Sequence, residues 1–308
     1  MAMRFGAGFW VQLAGWPELR EAALAVEAAG FDDLWIDDHL LSDEADWHDP
    51  KLEGWTTLAA LAAITERVRL GHMVVANTFR NPGLTAKSAT TLDHISGGRM
   101  ILGLGAAWFE REHAAFGLDF GTGFGERLDR LGEAVPLIRR LLDGETVTHE
   151  GRFYRFDEAL CAPRPVQAHL PILVGGTGPK KTIPLVARHA DLWNASGTPG
   201  ELRAHDAVLR AACHAVGRDE SEIERTVNVN VVIRATRAEA ERAWSGWARV
   251  HRPQDGEDRL TAAGPVEEVA ASLRRYAATG FDHPVLIFRT PWDLETIGRL
   301  PELRAALA

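Results

Sequence analysis

Cysteine is nearly missing from this chain: Cys161 and Cys213 are the only two in 308 residues. Two thiols cannot build a disulfide framework, and their spacing is no metal-binding pair, so a reducing, cytoplasmic setting is expected. Long apolar runs are missing as well. None approaches the ~20 residues of a membrane span. The start, MAMRFGAGFW, soon meets Gln12, Gly15 and Pro17, which fits a first strand and not a secretion signal. Positive charge is in short supply, with 34 Lys+Arg against 43 Asp+Glu and no basic run. A net charge of −9 argues against duplex nucleic acid and against an anionic membrane surface as partner. Tyrosine numbers 2 but tryptophan 10, and such an excess serves either a ligand cleft or a core.

What the chain has in abundance is alternation. Short β-branched or apolar runs at 4–10, 31–36, 68–75, 100–104, 171–174, 191–194, 226–233 and 284–288 predict eight strands. Most are followed by a stretch of helical spacing with its own punctuation. Asn81-Pro82 supplies an N-cap and a first-turn proline, and Gly97-Gly98 supplies the stop. Right-handed βα crossovers make consecutive strands parallel, and eight such units close a (β/α)8 TIM barrel. Regularity breaks between about 106 and 170, where two helices and a hairpin around Glu150-Gly151 are predicted. The expected organisation is one domain over 1–308, with a large insertion after strand 4.

Active sites of such barrels lie where the strands end. The residues just past the predicted strands are Trp10, then Asp37, Asp38 and His39, then Ala76-Asn77, Gly105-Ala106-Ala107-Trp108, Gly175-Gly176-Thr177-Gly178, Asn194-Ala195-Ser196, Arg234 and Arg289. Small residues and amides of this kind suit a flat ligand lying on backbone. Metal is not expected: the 12 histidines include no His-x-His at a strand end and no His-Glu-x-x-His. VGGTGPKKT, residues 174–182, puts a glycine-rich turn before a helix opened by Pro179, with Lys180 and Lys181 in its first turn. That is either an anion site at a helix N-terminus or an ordinary turn with solvated lysines. In WIDDHL, residues 35–40, His39 is a candidate for proton transfer near neutral pH or a residue that merely ties down a loop. Glu53 is a candidate cap for the helix that follows.

The ordered set of WIDDHL, RVRLGHMVVANTFRNPGLTAKSATTLDHISGGRMILGLGAAW, ERLDRLGEAVPLIRRLLDG, EGRFYRF and PILVGGTGPKKTIPLVARHADLWN resembles the luciferase-like monooxygenase superfamily. Within it, the likeness is to oxidoreductases that use the deazaflavin coenzyme F420. The resemblance covers nearly the whole chain. It implies a cofactor at the barrel mouth, a non-proline cis peptide at Met73-Val74 beneath its ring, and a phosphate loop at Gly175, Gly176, Thr177 and Gly178 with Lys180. Gly105 and Ala106 would adjoin the ring, with Asp38 and His39 facing ring or substrate. Proton transfer by His39, oriented by Asp38, follows as the expected chemistry, with Trp10, Trp47 and Trp108 as pocket walls.

This chain departs from the sugar-phosphate-oxidising members in two places. Trp108 stands where they carry a catalytic glutamate, and Asp43 stands where they carry a tryptophan after the Asp-His pair. Sugar-phosphate oxidation is therefore disfavoured. Hydride exchange with a small enone, imine or carbonyl/alcohol substrate is the leading expectation. The alternatives are an FMN-dependent monooxygenase that uses oxygen, and a non-catalytic flavin- or ligand-binding protein. Relatives are commonly homodimers. Glu110, Glu112, Trp244, Trp247 and His251 receive no role, and loops 41–52, 106–124 and 247–259 carry no readable specificity.

Overall fold

The computed structural model describes residues 3–43, 46–251 and 260–308. Parts of two of the loops just named, 44–45 and 252–259, lie outside the described residues. The elements begin β1 (Gly6–Phe9), α1 (Trp16–Ala29), β2 (Asp33–Ile36), α2 (Gly54–Ile64), β3 (Arg69–His72), β4 (Val75–Ala76), α3 (Pro82–Ser96) and β5 (Met100–Gly105). The middle holds α4 (Glu110–Phe116), α5 (Phe124–Leu142), β6 (Val147–Glu150), β7 (Arg155–Ala159), β8 (Ile172–Gly175), α6 (Thr182–His189), β9 (Leu192–Ala195) and α7 (Pro199–Val216). The last part adds β10 (Glu224–Ile233), α8 (Arg237–His251), β11 (Leu260–Gly264), α9 (Val266–Ala277), β12 (His283–Phe288), α10 (Leu294–Gly298) and α11 (Leu300–Leu307).

Parallel pairing runs β12–β1–β2–β3–β5–β8–β9–β10 and returns from β10 to β12, which closes a (β/α)8 barrel. The helices form where their punctuation says they should. Asn81 Oδ1 accepts from Gly83 N at 2.8 Å, and Gly97 ends α3 in the left-handed conformation. Thr198 and Glu201 make a reciprocal capping box at α7.

Four features depart from the sequence reading or refine it. The third strand is interrupted: β3 stops at His72 and β4 resumes at Val75. Helix α5 packs between α3 and α6 as a member of the outer ring, so the added material after β5 is α4 with its loops and the β6–β7 hairpin. Strand β11, made largely of small residues, pairs with the second half of β10 and has no counterpart in the predicted strands. Helix α6 opens at Thr182 and not at Pro179, because residues 179–181 make a turn first.

Inside the barrel, alternation along β2 points Asp33 and Trp35 inward while Leu34 and Ile36 face the helices. Trp35 packs there with Met73, Ile101, Leu173, Leu192 and Val285. Below this layer, where the strands begin, a buried ionic network replaces apolar packing. His283 Nε2 lies 2.7 Å from Asp33 Oδ2, and its Nδ1 lies 2.6 Å from Glu224 Oε1. Arg69 donates to Asp33 Oδ2 at 3.0 Å and to Glu224 Oε1 at 3.3 Å, and Arg4 reaches Glu224 at 3.5 Å. Burial alone would lower the pKa of His283, but the two carboxylates outweigh it and raise it to about 9. Burial would raise Asp33, yet His283 and Arg69 hold it far below the usual carboxylate range, and the same partners bring Glu224 to about 2.

Candidate active site

The opposite end, where the strands finish, collects the sequence-flagged residues. Ile36 lies opposite His72 in register, and Met73 N donates to Ile36 O at 2.8 Å. Residues 37–39 therefore leave the barrel beside the interruption in the third strand. The Met73-Val74 peptide there is cis, as the resemblance implies. Val74 projects toward β5 and β8. A Cβ on Gly105 would come within 2.4 Å of Val74 Cγ2, and one on Gly175 within 3.0 Å of Val74 Cγ1. Glycine at these two positions is what lets three strands meet closely under a flat floor.

The residues Asp37, Asp38 and His39 diverge in function because they diverge in direction. Asp37 accepts from Val11 N at 3.3 Å and from the Lys51 ammonium, whose side chain is buried. Lys51 also reaches Gln12 Oε1 at 3.1 Å and Asp43 Oδ1 at 3.4 Å. Asp37, His39 and Asp43 bring three possible metal-ligand atoms within 4.8 Å of one another, and the Lys51 ammonium supplies positive charge there.

Asp38 turns the other way. Its Oδ2 accepts from Arg80 Nη1 at 2.8 Å and from Ala76 N at 3.2 Å, joining β2 to β4. Its Oδ1 is buried without a hydrogen-bond partner. Burial dominates over the Arg80 guanidinium and the Ala76 N–H and raises its pKa to about 6. With its side chain fully enclosed, Asp38 lies beneath the surface of the mouth, a placement that differs from one facing ring or substrate. Glu53 caps α2 through Trp55 N and Thr56 N and also holds Arg80 Nη2 at 2.9 Å.

His39 lies between two carboxylates. Its Nδ1 meets Glu112 Oε1 at 2.9 Å, and its Nε2 lies 3.7 Å from Asp43 Oδ2. Glu112 uses its other oxygen to accept from Leu40 N at 2.8 Å, so one buried carboxylate fixes both the imidazole and the backbone that carries it. Burial alone would lower the His39 pKa, but Asp43 and Glu112 outweigh it and raise it. Glu112, Lys51 and Arg80 are the residues that the sequence reading did not place in the site. Glu112 is separated from His39 by 73 positions, and no local spacing signals their meeting.

The glycine-rich loop follows β8. Gly176 has φ +119°, a conformation that a side chain would strain. Its N–H is spent on Asn194 O at 2.9 Å, and its carbonyl accepts from Trp193 Nε1 at 2.8 Å. A Cβ on Gly178 would meet Thr182 Oγ1 at 2.9 Å, so the loop closes tightly on the start of α6. Thr177 and Lys180 lie in this loop before α6, and Lys180 is exposed. Lys181 is committed elsewhere, to Gly125 O at 3.0 Å and to Asp129.

The tryptophans divide. Trp108 is half exposed, next to Ala106 and Ala107 and edge-on to His39 with ring centroids 5.5 Å apart. Trp10 is partly buried and packs on the interior cluster beside Val74 and Ile287. Trp47 stacks on His48 at 3.6 Å and carries the Arg111 guanidinium at 4.0 Å, tying its loop to α4. Trp193, fully buried, anchors the glycine loop and packs on Phe281.

A closed parallel barrel whose mouth holds an interrupted third strand, a glycine floor and a carboxylate-clamped histidine defines a recognisable class. Residues 3–248 match the family model for luciferase-like monooxygenases, and the chain belongs to that family. It is 33% identical over 302 aligned residues to an F420-dependent glucose-6-phosphate dehydrogenase of Kineococcus radiotolerans, covering 89% of this chain and 87% of that one. It is 31% identical to an F420-dependent hydroxymycolic acid dehydrogenase of Mycobacterium tuberculosis, covering 81% and 69%. An F420-dependent secondary alcohol dehydrogenase, solved with an F420-acetone adduct, shares the fold over the full length of both chains, with a TM-score of 0.83 and 21% identity. A monooxygenase from Streptomyces bottropensis superposes over 98% of both chains, with a TM-score of 0.79 and 26% identity. No helix among the described residues is long and apolar enough to cross a membrane.

Proposed function

We propose that this protein, an oxidoreductase dependent on coenzyme F420, exchanges a hydride with a small carbonyl, enone, imine or alcohol substrate at the barrel mouth. The observation that carries the reading is the floor made by Val74 with Gly105 and Gly175, beside His39 at the end of the neighbouring strand. Such a floor accepts a flat ring on backbone and small side chains, which fits the tricyclic deazaflavin. Ala106 continues that floor, and the loop of Gly176, Thr177, Gly178 and Lys180 before α6 is the candidate for the coenzyme's phosphate, through Thr177 and the exposed Lys180, since the Gly176 N–H is already bonded to Asn194 O. When bound, the deazaflavin supplies the hydride-carrying carbon.

The chain's own residues position the reactants and manage the proton. His39, kept protonated to higher pH than an ordinary histidine, hands a proton to the substrate in the reducing direction and takes one back in the oxidising direction. Glu112 orients His39, and Asp38 supports the mouth from beneath through Arg80 and Ala76. Trp108 and Trp10 give the substrate side aromatic walls. The relatives' substrates are not carried over, because the sequence resemblance puts Trp108 where some sugar-phosphate-oxidising members have a glutamate.

Parallel titrations with F420 and FMN, followed by anaerobic reduction of an enone panel, test the reading. Micromolar or tighter F420 binding with oxygen-independent turnover is expected. No binding at millimolar F420 overturns it, and retained FMN with oxygen-dependent turnover replaces it with the monooxygenase chemistry.

A further inference from the structure

Beside the mouth, between α8, the ends of β10 and β12, and α10, lies a cavity of about 440 Å³. That volume falls within the range of small-molecule sites. Its walls include Trp244 and Trp247 of α8, and Phe288 and Trp292 opposite. Trp244 and Trp247 lie 4.7 Å apart at 31°, and Trp247 stacks on His251 at 4.8 Å and 16°, so α8 presents an ordered aromatic face. Among the described residues, the acidic ones lining the cavity are Asp293 and Glu295, both engaged by Arg234, at 2.9 and 3.2 Å. The cavity adjoins the mouth through Ile287. That side chain lines the cavity, yet it also packs with Trp10 and reaches the space above Gly8 inside the barrel. Arg289 spans the same boundary, its guanidinium 5.9 Å from the Trp10 ring and 4.8 Å from the Trp247 ring.

We propose that this cavity holds the non-reacting part of the substrate and selects a flat, apolar, aromatic or fused-ring group. The proposal rests on the hydride-transfer reading, because it takes the reacting carbon to lie in the mouth beyond Ile287. A sugar phosphate suits the cavity poorly. Of its polar walls among the described residues, Arg234 is held by Asp293 and Glu295, and Arg289 lies against the Trp10 and Trp247 rings, so stacking surface prevails. An aryl ketone gains by burying its ring between indoles while its carbonyl stays toward His39.

Calorimetry on the F420-loaded protein tests this with three probes: 2-acetylnaphthalene, cyclohex-2-enone and glucose 6-phosphate. The naphthyl ketone is expected to bind at least tenfold tighter than either of the others. Ala243→Phe, which fills the cavity, and Trp247→Leu, which removes a stacking face, are each expected to cut naphthyl ketone affinity at least tenfold. Both should leave cyclohexenone binding and the F420 titration unchanged. Thermal melts of both variants establish that they are folded, and either one alone suffices for the test. Equal affinity for the naphthyl ketone and cyclohexenone, tighter binding of glucose 6-phosphate, or variants that weaken both ketones alike overturn the proposal. Failure of the F420 titration in the unmodified protein would instead overturn the hydride-transfer reading. Naphthyl ketone binding to the cofactor-free protein, lost in both variants, would still support the cavity assignment.

Discussion

Each end of this barrel holds a histidine between two carboxylates, and the two differ in how far they are enclosed. At the end where strands begin, His283 is wedged between Asp33 and Glu224, with its side chain 1% exposed. At the end where they finish, His39 stands between Glu112 and Asp43, with its side chain 14% exposed and Trp108 edge-on beside it. The chemistry of the triads is alike and both histidine pKa values are raised. What differs is access. His283 is sealed by Arg69, Arg4 and the strands, so its charge can serve only the fold. His39 is reachable from the mouth, so its proton can be exchanged with a bound molecule. Barrels of this class separate stability from catalysis along their axis, and under the proposed function the same three-residue device serves both.

Substitutions at the two histidine clusters should separate cleanly. The largest effect is expected from His39→Gln, which should lower turnover about 10²- to 10⁴-fold, the usual contribution of a positioned acid or base. F420 affinity should stay unchanged and the melting temperature nearly so. A melting temperature that collapses with turnover would make His39 a structural residue like His283 and erase the contrast.

Next comes Asp33→Ala, which leaves His283 and Arg69 buried without their partner. A loss of about 3–5 kcal/mol in urea unfolding is expected, with normal F420 titration in the folded fraction. A loss below about 1 kcal/mol would mean that the network closes the barrel without stabilising it.

The pH dependence of stability sharpens the contrast further. Because the folded pKa of His283 is raised from 6.5 to about 9, its contribution is complete below pH 6.5 and disappears as pH rises through about 9. Asp33 and Glu224 are depressed, so their contribution is present above about pH 4.5 and is lost as the solution is acidified toward their folded values. Urea unfolding from pH 5 to 10 should therefore show an alkaline decline that His283→Gln removes and His39→Gln leaves in place. Asp38 runs the opposite way. Its pKa is raised to about 6, so ionisation of this carboxylate costs stability as pH rises from about 4 to 6.

The smallest effect is expected at Glu112→Gln, which keeps an acceptor for Leu40 N but withdraws the charge that helps hold the His39 proton. The reducing activity of the enzyme should then fall off at lower pH than in the parent, by up to about one unit. Turnover at acidic pH should be nearly preserved. An unshifted profile would confine Glu112 to holding the loop.

Much of the scaffold was legible in the chain because its signals are local. Asn81-Pro82 and Gly97 bound α3, and the short strands with their helices announce the barrel. The interrupted third strand and its cis peptide were carried by the family resemblance, since the residues 68–75 by themselves look like one continuous strand. Pro179 misled because proline favours a first helical turn, while the glycine loop needs three more residues before its chain direction suits α6. Strand β11 was missed because LTAAG has little β-branched or alternating character and pairs only with the upper half of β10.

By itself, then, the sequence determined the barrel, the small residues at its strand ends, and the presence of a histidine at the end of the second strand. These follow from period, punctuation and residue size, which act between neighbours along the chain. Tertiary structure alone decided which carboxylates meet which histidine, that Asp38 lies beneath the mouth, and that Trp244 and Trp247 wall a cavity beside β12. Those outcomes depend on side chains far apart in sequence arriving together, and on how much water reaches them once they have. Charge and proton affinity are set by that burial and pairing, and neither is written in local spacing.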